Sequence, residues 1–212
     1  MILHAEHGGG NNSTFTTRVL SSSGTDTYSA ISAAIGSLKG PRHGGANIKV
    51  KHMMDELLAN IKDLTDEEEI ADYLGKIITK DAGDGSGLIY GFGHAIYTLS
   101  DPRAKILKKN AKKLSAEKGM TDIYEFYKRV EKLVPSVFEN VKGSKKVICA
   151  NVDFYSGFVY DMLGIESDLF TPLFAVSRIA GWCAHRIEEI TYGGRTVSYT
   201  HLRAHETELH LV

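Results

Sequence analysis

Only two cysteines occur in the 212 residues, Cys149 and Cys183, and no C-x-x-C pair joins them, which argues against a thiolate metal site and fits a reducing compartment. Both read as buried packing residues. Charge of one sign is equally scarce in excess: 25 Lys and Arg against 26 Asp and Glu give a formal charge of −1, so nothing points to a nucleic acid or other polyanion as partner. No apolar run approaches the roughly 18 residues a membrane helix needs, and no basic-then-apolar leader follows Met1, so the expected setting is cytoplasmic, with no membrane partner. No Gly-Lys-Ser/Thr phosphate loop exists, and Gly91-x-Gly93 lacks the third glycine of a dinucleotide fingerprint. Strand-like alternation is missing except at residues 147–150, and no internal repeat is present.

What remains is helical periodicity over a chain whose 42% hydrophobic content supports a globular core of one or two domains. Tyr28, Ile31, Ile35 and Leu38 form one stripe, stopped by Gly40-Pro41, and Met53, Met54, Leu57, Leu58 and Ile61 form a second. Thr65 and Glu68 spell a capping box ahead of Ile70, Leu74, Ile77 and Ile78. Asp101-Pro102 opens a helix through Ile106, Leu107, Ala111 and Leu114, whose lysines over 105–118 read as a solvated face. Further stripes follow at Ile123, Phe126, Tyr127, Val130, Leu133 and Val134. Thr171-Pro172 then introduces Leu173, Phe174, Val176, Ile179 and Ile187. The fold class is all-α.

Chemistry is expected where glycine interrupts the helices: Gly8 to Gly10, Gly40 to Gly45, and Gly83 to Gly93, with His7, His43 and His94 in or beside them. Taken singly, most polar residues have ordinary explanations. His52 and His185 read as structural or solvated, Asp153 as a helix N-cap, and Arg103 and Arg178 as ion-pair partners. Arg178 is the exception, because its neighbours Phe174, Val176, Ile179 and Ala180 are apolar and its charge needs an anion to face. Taken together, three histidines, one aspartate and two arginines suit proton abstraction beside a carbonyl, with the arginines holding a carboxylate. A different class of reading uses His4, His7 and His43 as the ligands of a metal-dependent hydrolase; the glycine triplet breaks the helix that would align H-x-x-H, and the expectation is no metal.

The segments HAEHGGGN, GPRHGGAN, GFGHAIYTLSDPR, NVDFYSG and SRIAGW, in that order, resemble the citrate synthase family, and the resemblance runs over about residues 2 to 195. It implies the all-α citrate synthase fold, with the small domain and part of the large domain in residues 1–195, and an obligate homodimer. It implies an acyltransferase of the tricarboxylic acid cycle that condenses acetyl-CoA with oxaloacetate and water. His43 is then similar to the donor to the thioester oxygen, Asp153 to the base and His94 to the donor that polarises the ketone. His7, Arg103 and Arg178 match oxaloacetate-binding positions, and Ile89, Tyr90, Gly91, Gly93 and Phe174 match acyl-CoA-binding positions. No cofactor is implied, since CoA enters as substrate. 2-Methylcitrate synthase, using propionyl-CoA, is the alternative, because one methylene in an apolar pocket is worth only about 1–3 kcal/mol.

Two departures from the family pattern stand out. Thr98 occupies a position where some members carry an arginine that contacts CoA phosphate, and Ser198 one where an arginine reaches the partner's oxaloacetate. The run VSYTHLRAHET looks like a translated sequencing adapter, so residues 196–212 read as a foreign tail. With members about twice this length, the chain as written is expected to be an incomplete and inactive fragment.

Overall fold

Acceptor side chains mark where four of the described helices begin. In the computed structural model, which describes residues 1–93, 100–143 and 148–192, Asp26, Asp66, Asp101 and Asn151 each accept a hydrogen bond from a first-turn amide of the helix that follows. Helix ends are set by left-handed residues. Lys80 (φ 74°) and Gly143 (φ 63°) close two of them, and the Asp81 amide reaches back to the Lys76 carbonyl at 2.8 Å. Eight α-helices and two 3-10 turns result, with no β-strand among the described residues. No described helix is long and apolar enough to cross a membrane.

The chain divides into two compact units. The first comprises Met1–Gly45 and Thr171–Val212, and contains α1 (Asn12–Ser22), α2 (Thr27–Lys39) and nearly all of α8 (Phe170–Thr191). Its apolar core is small, built on Ala34, Leu38 and Trp182. Much of the rest of its interior is polar: Ser13, Thr14 and Thr17 are fully buried, and Arg186 donates to Thr27 Oγ1 (3.0 Å), Ser21 Oγ (3.1 Å) and the Thr25 carbonyl (2.6 Å).

The second unit, Ala46–Phe170, holds α3 (Ala46–Asn60), α4 (Glu67–Thr79), α5 (Pro102–Glu117), α6 (Thr121–Lys142) and α7 (Val152–Met162). Helix α7 packs on α3 and α5, while α6 packs on α4 and α5. Met54, Leu57, Ile70, Leu74, Phe126, Val130, Val134 and Phe154 fill the centre of one continuous apolar cluster. Rings of Tyr127 and Phe158 stack across it at 4.6 Å.

Several local expectations need correction. The box cap at Thr65 gives way to Asp66, which accepts from the Glu68 and Glu69 amides, while Thr65 bonds Asp63. Helix α2 buries Ala30, Ala34 and Leu38 and leaves Tyr28 and Ile35 exposed, because α1 approaches through its own small Ser and Thr residues. Ile106 on α5 is likewise exposed. On α8 the apolar stripe faces outward: Val176, Ile179 and Ile187 are exposed, and Ser177, Arg178, Trp182 and Arg186 face in, where acceptors await the guanidinium groups. Of residues 147–150, only an isolated bridge from Ala150 to Phe92 is seen, and Val147 lies outside the described residues. Cys149 and Cys183 are half-buried.

Candidate active site

In the first unit, His43 sits on a turn that folds back on the end of α2. Amides of His43 and Gly44 both donate to the Gly40 carbonyl, at 2.9 and 3.1 Å. A Cβ on Gly44 would strike the Leu38 carbonyl, so glycine at this position is required by the turn's own packing. The imidazole Nε2 accepts the Ser13 amide at 3.3 Å, in the first turn of α1, and lies 3.1 Å from Ser13 Oγ. Ser13 Oγ gives its own hydrogen to Asn11 Oδ1 (2.7 Å), so both Ser13 contacts fix the orientation of this edge of the ring. Burial, and then the charge of Arg178, push the His43 pKa down and favour the neutral form. An open cleft of about 430 Å³ adjoins it, lined by Asn12, Ser37, Gly40, Pro41, Arg42 and His43.

His7 lies half-buried just beyond the 3-10 turn Ile2–His4, on a segment seated along α8. Two contacts seat it. Arg178 Nε donates to the His4 carbonyl at 2.6 Å, and His185 Nε2 and Glu6 Oε1 are 2.8 Å apart. Between these, Gly181 lets the chain pass, since a Cβ there would collide with the Ala5 carbonyl and the Glu6 carboxylate. Glu6 also accepts the Gly8 amide, fixing the turn after His7, where Gly8 has φ +77°. Arg178 is 1% exposed, with its guanidinium 4.6 Å over the Phe174 ring, on which His4 also packs. His185, read as structural or solvated, is structural: it is part of the support for His7. Helical spacing alone does not reveal it, because its partners are some 180 residues away in sequence.

The second unit assembles Asp153 and Arg103. Residues Gly91 to Gly93 dock against 149–151: the Gly93 amide donates to the Cys149 carbonyl (2.9 Å), the Asn151 amide to Gly91 (2.8 Å), and Asn151 Nδ2 to Gly93 (3.1 Å). Gly91 is held in a left-handed conformation (φ +81°), and a Cβ there would lie 2.9 Å from Phe154 Cβ and Val50 Cγ2. Asn151 also caps α7 by accepting the Asp153 amide at 3.0 Å, so the cap expected of Asp153 belongs to its neighbour. Asp153 stands in the first turn, where the helix N-terminus favours a carboxylate. Arg103 is forked onto Asp101, with Nε to Oδ1 at 3.1 Å and Nη2 to Oδ2 at 2.8 Å, the ion pair its ordinary reading predicted.

Of the acyl-CoA-binding positions, Ile89 is buried against the core, and the Tyr90 hydroxyl accepts from Lys49 Nζ (3.0 Å) and donates to Asp84 (2.5 Å). Ser86 and Tyr90 hydroxyls hold the Asp84 carboxyl at about 2. Phe174 belongs to the first unit, under Arg178. His94, Thr98 and the 196–212 tail with Ser198 lie outside the described residues. His7, His43, Arg178 and Phe174 are thus carried by the first unit, and Ile89 to Gly93, Arg103 and Asp153 by the second.

The family model for the C-terminal domain of citrate synthase matches residues 1–198. Citrate synthase 2 of Bacillus subtilis is 44% identical over 189 residues, covering 89% of this chain and 45% of its own. 2-Methylcitrate synthase 1 of Corynebacterium glutamicum is 41% identical over 189 residues, covering 89% of this chain and 44% of its own. Among solved structures, the ternary complex of citrate synthase from Thermoplasma acidophilum with carboxymethyl coenzyme A and oxaloacetate superposes with a TM-score of 0.73 at 35% identity, over 92% of this chain and 48% of the other. The chain spans a little under half the length of the curated relatives it matches.

Proposed function

The chain belongs to the citrate synthase family, and from that premise we propose that the complete protein condenses acetyl-CoA with oxaloacetate and water to give citrate and CoA. The observation that carries the reading is His43, an imidazole kept neutral by burial, held at Nε2 by Ser13, with one ring N–H to donate. A thioester methyl is a very weak acid. Its deprotonation by the Asp153 carboxylate becomes feasible when charge growing on the thioester oxygen meets such a donor, and removing one donor of this kind costs about 10²–10³ in rate. The enol carbon then attacks the ketone carbon of oxaloacetate. His94 donates to the new alkoxide, while His7, Arg103 and Arg178 hold the two carboxylates. Water cleaves the citryl thioester, releasing CoA as the free thiol.

No metal or redox cofactor enters this scheme. With its Nε2 edge held by Ser13, His43 has little to offer a metal-dependent hydrolase. A cytoplasmic homodimer completes the proposal, supported by the outward apolar stripe of α8. The similarity to 2-methylcitrate synthase 1 keeps propionyl-CoA as a second thioester. Thiol release by the complete protein with oxaloacetate, followed in parallel with acetyl-CoA and propionyl-CoA and with a chelator present, tests the reading; no thiol release with either thioester, or loss of it to the chelator, contradicts it.

A further inference from the structure

Asp101 is fully buried, and its carboxylate accepts four hydrogen bonds. Three come from Arg103, through its amide (2.9 Å), Nε (3.1 Å) and Nη2 (2.8 Å); the fourth comes from the amide of Val152 (3.1 Å), the first residue of α7. Burial alone would raise its pKa, but the hydrogen bonds and charge of Arg103 outweigh that and hold it below the ordinary carboxylate value. The Cys149 thiol beside it is pushed up by burial and by that same negative charge.

A guanidinium has five N–H donors in a planar fork. Asp101 takes the Nε/Nη2 edge, which leaves both hydrogens of Nη1 and one of Nη2 for another anion. The same carboxylate fixes the start of α7 one residue before Asp153. A residue serving only as the cap of α5 would need one of these four bonds, the Arg103 amide.

We propose that Asp101 is a positioning residue, whose carboxylate turns the open edge of Arg103 toward a substrate carboxylate while pinning the N-terminus of α7 that carries Asp153. The inference rests on the proposed condensation and extends it to a group that touches neither substrate. Its two jobs predict two separable losses.

The test is Asp101→Asn in the complete protein. Asparagine caps helices as well as aspartate does, so the α5 start survives, while the charge and the second fully ionic acceptor are lost. Oxaloacetate KM should rise roughly tenfold or more and kcat should fall, with the acetyl-CoA KM changing less than about twofold. In an Arg103→Ala background the same change should leave oxaloacetate KM unaltered and still lower kcat, because only the α7 contact remains to lose. Asp101→Ser, another good cap, should behave like Asp101→Asn. A rise in oxaloacetate KM that persists undiminished without Arg103, or a loss of activity that merely follows the folded fraction with both KM values unchanged, overturns the proposal. Absence of thiol release from the unsubstituted protein would instead remove the condensation reading, and this inference with it.

Discussion

Trp182, Arg178 and Arg186 fill the interior of the first unit, where Phe126, Phe154, Leu74 and Ile70 fill that of the second. The second unit is the familiar solution, a wide apolar cluster whose burial is worth about 25 cal/mol per Å². The first has few apolar side chains to bury and organises itself through donors and acceptors instead. Buried guanidinium groups contribute little net stability compared with apolar replacements, yet leave expensive orphans when cut. What they supply is direction. Arg178 and His185 hold a loop at a set height above α8, and Ser13 sets the orientation of the His43 ring. One unit is thus built for cohesion and the other for placement, and each carries part of the proposed chemistry.

The sharpest way to probe that division is to remove one reacting group from each unit. Asp153→Asn in the second should lower turnover by about 10²–10⁴, since an amide cannot accept the methyl proton. His43→Ala in the first should lower it by about 10²–10³. Exchange of deuterium from methyl-labelled acetyl-CoA should be lost in both, with thermal unfolding unchanged and oxaloacetate still bound. Exchange persisting at the unsubstituted rate in either variant would strip that residue of its role. His43 also sets a pH limit: a pKa held below the ordinary histidine value by burial and Arg178 means the neutral donor persists as pH falls through that value and is lost only at lower pH, so the acid limb of the kcat/KM profile should sit below the ordinary histidine value.

Stability should divide along the same line. Phe126→Ala opens a cavity in the apolar cluster and should cost about 3–5 kcal/mol, read as a fall in urea midpoint. Arg186→Ala orphans Thr27, Ser21 and the Thr25 carbonyl, several of them near solvent, and should cost less, about 1–3 kcal/mol. An Arg186 effect as large as that of Phe126 would show that the first unit depends on its polar network for cohesion as well as for placement.

The sequence exposes these two regions unequally. In the second unit, the stripes of α3, α4 and α6 are legible because apolar side chains recur at 3.6-residue spacing and pack as that spacing dictates. In α2 and α8 the rule holds only in part: Leu38, Ile31 and Phe174 pack on the core, while small and polar residues take the other inward positions and leave Tyr28, Ile35, Val176, Ile179 and Ile187 outside. The glycine-framed histidines mark the loops where the candidate site lies. Its supports, Ser13, Asn151, Asp101 and the Glu6–His185 pair, are invisible to periodicity because each acts on a partner brought near only by the fold. Asn151 belongs to the NVDFYSG motif, yet only the docking of Gly91 to Gly93 shows its purpose.

The smallest effect on folding, and a direct probe of the outward face of the first unit, is expected from Ile187→Lys. Val176, Ile179, Ile187 and Ile190 are 60%, 37%, 64% and 58% exposed and fall at intervals of three, eight and three residues, so they share one face of α8. Ile187 is 64% exposed, and a surface substitution there should change stability by no more than about 0.5 kcal/mol. In the proposed homodimer the consequence differs. A two-fold interface presents the same patch from both copies, so one substitution introduces the charge twice into an apolar contact, facing its own kind. Sedimentation of the complete protein should then show the mass halved while its thermal midpoint at high dilution is unchanged. A dimer that survives Ile187→Lys intact would mean that this stripe is covered by something other than the second copy.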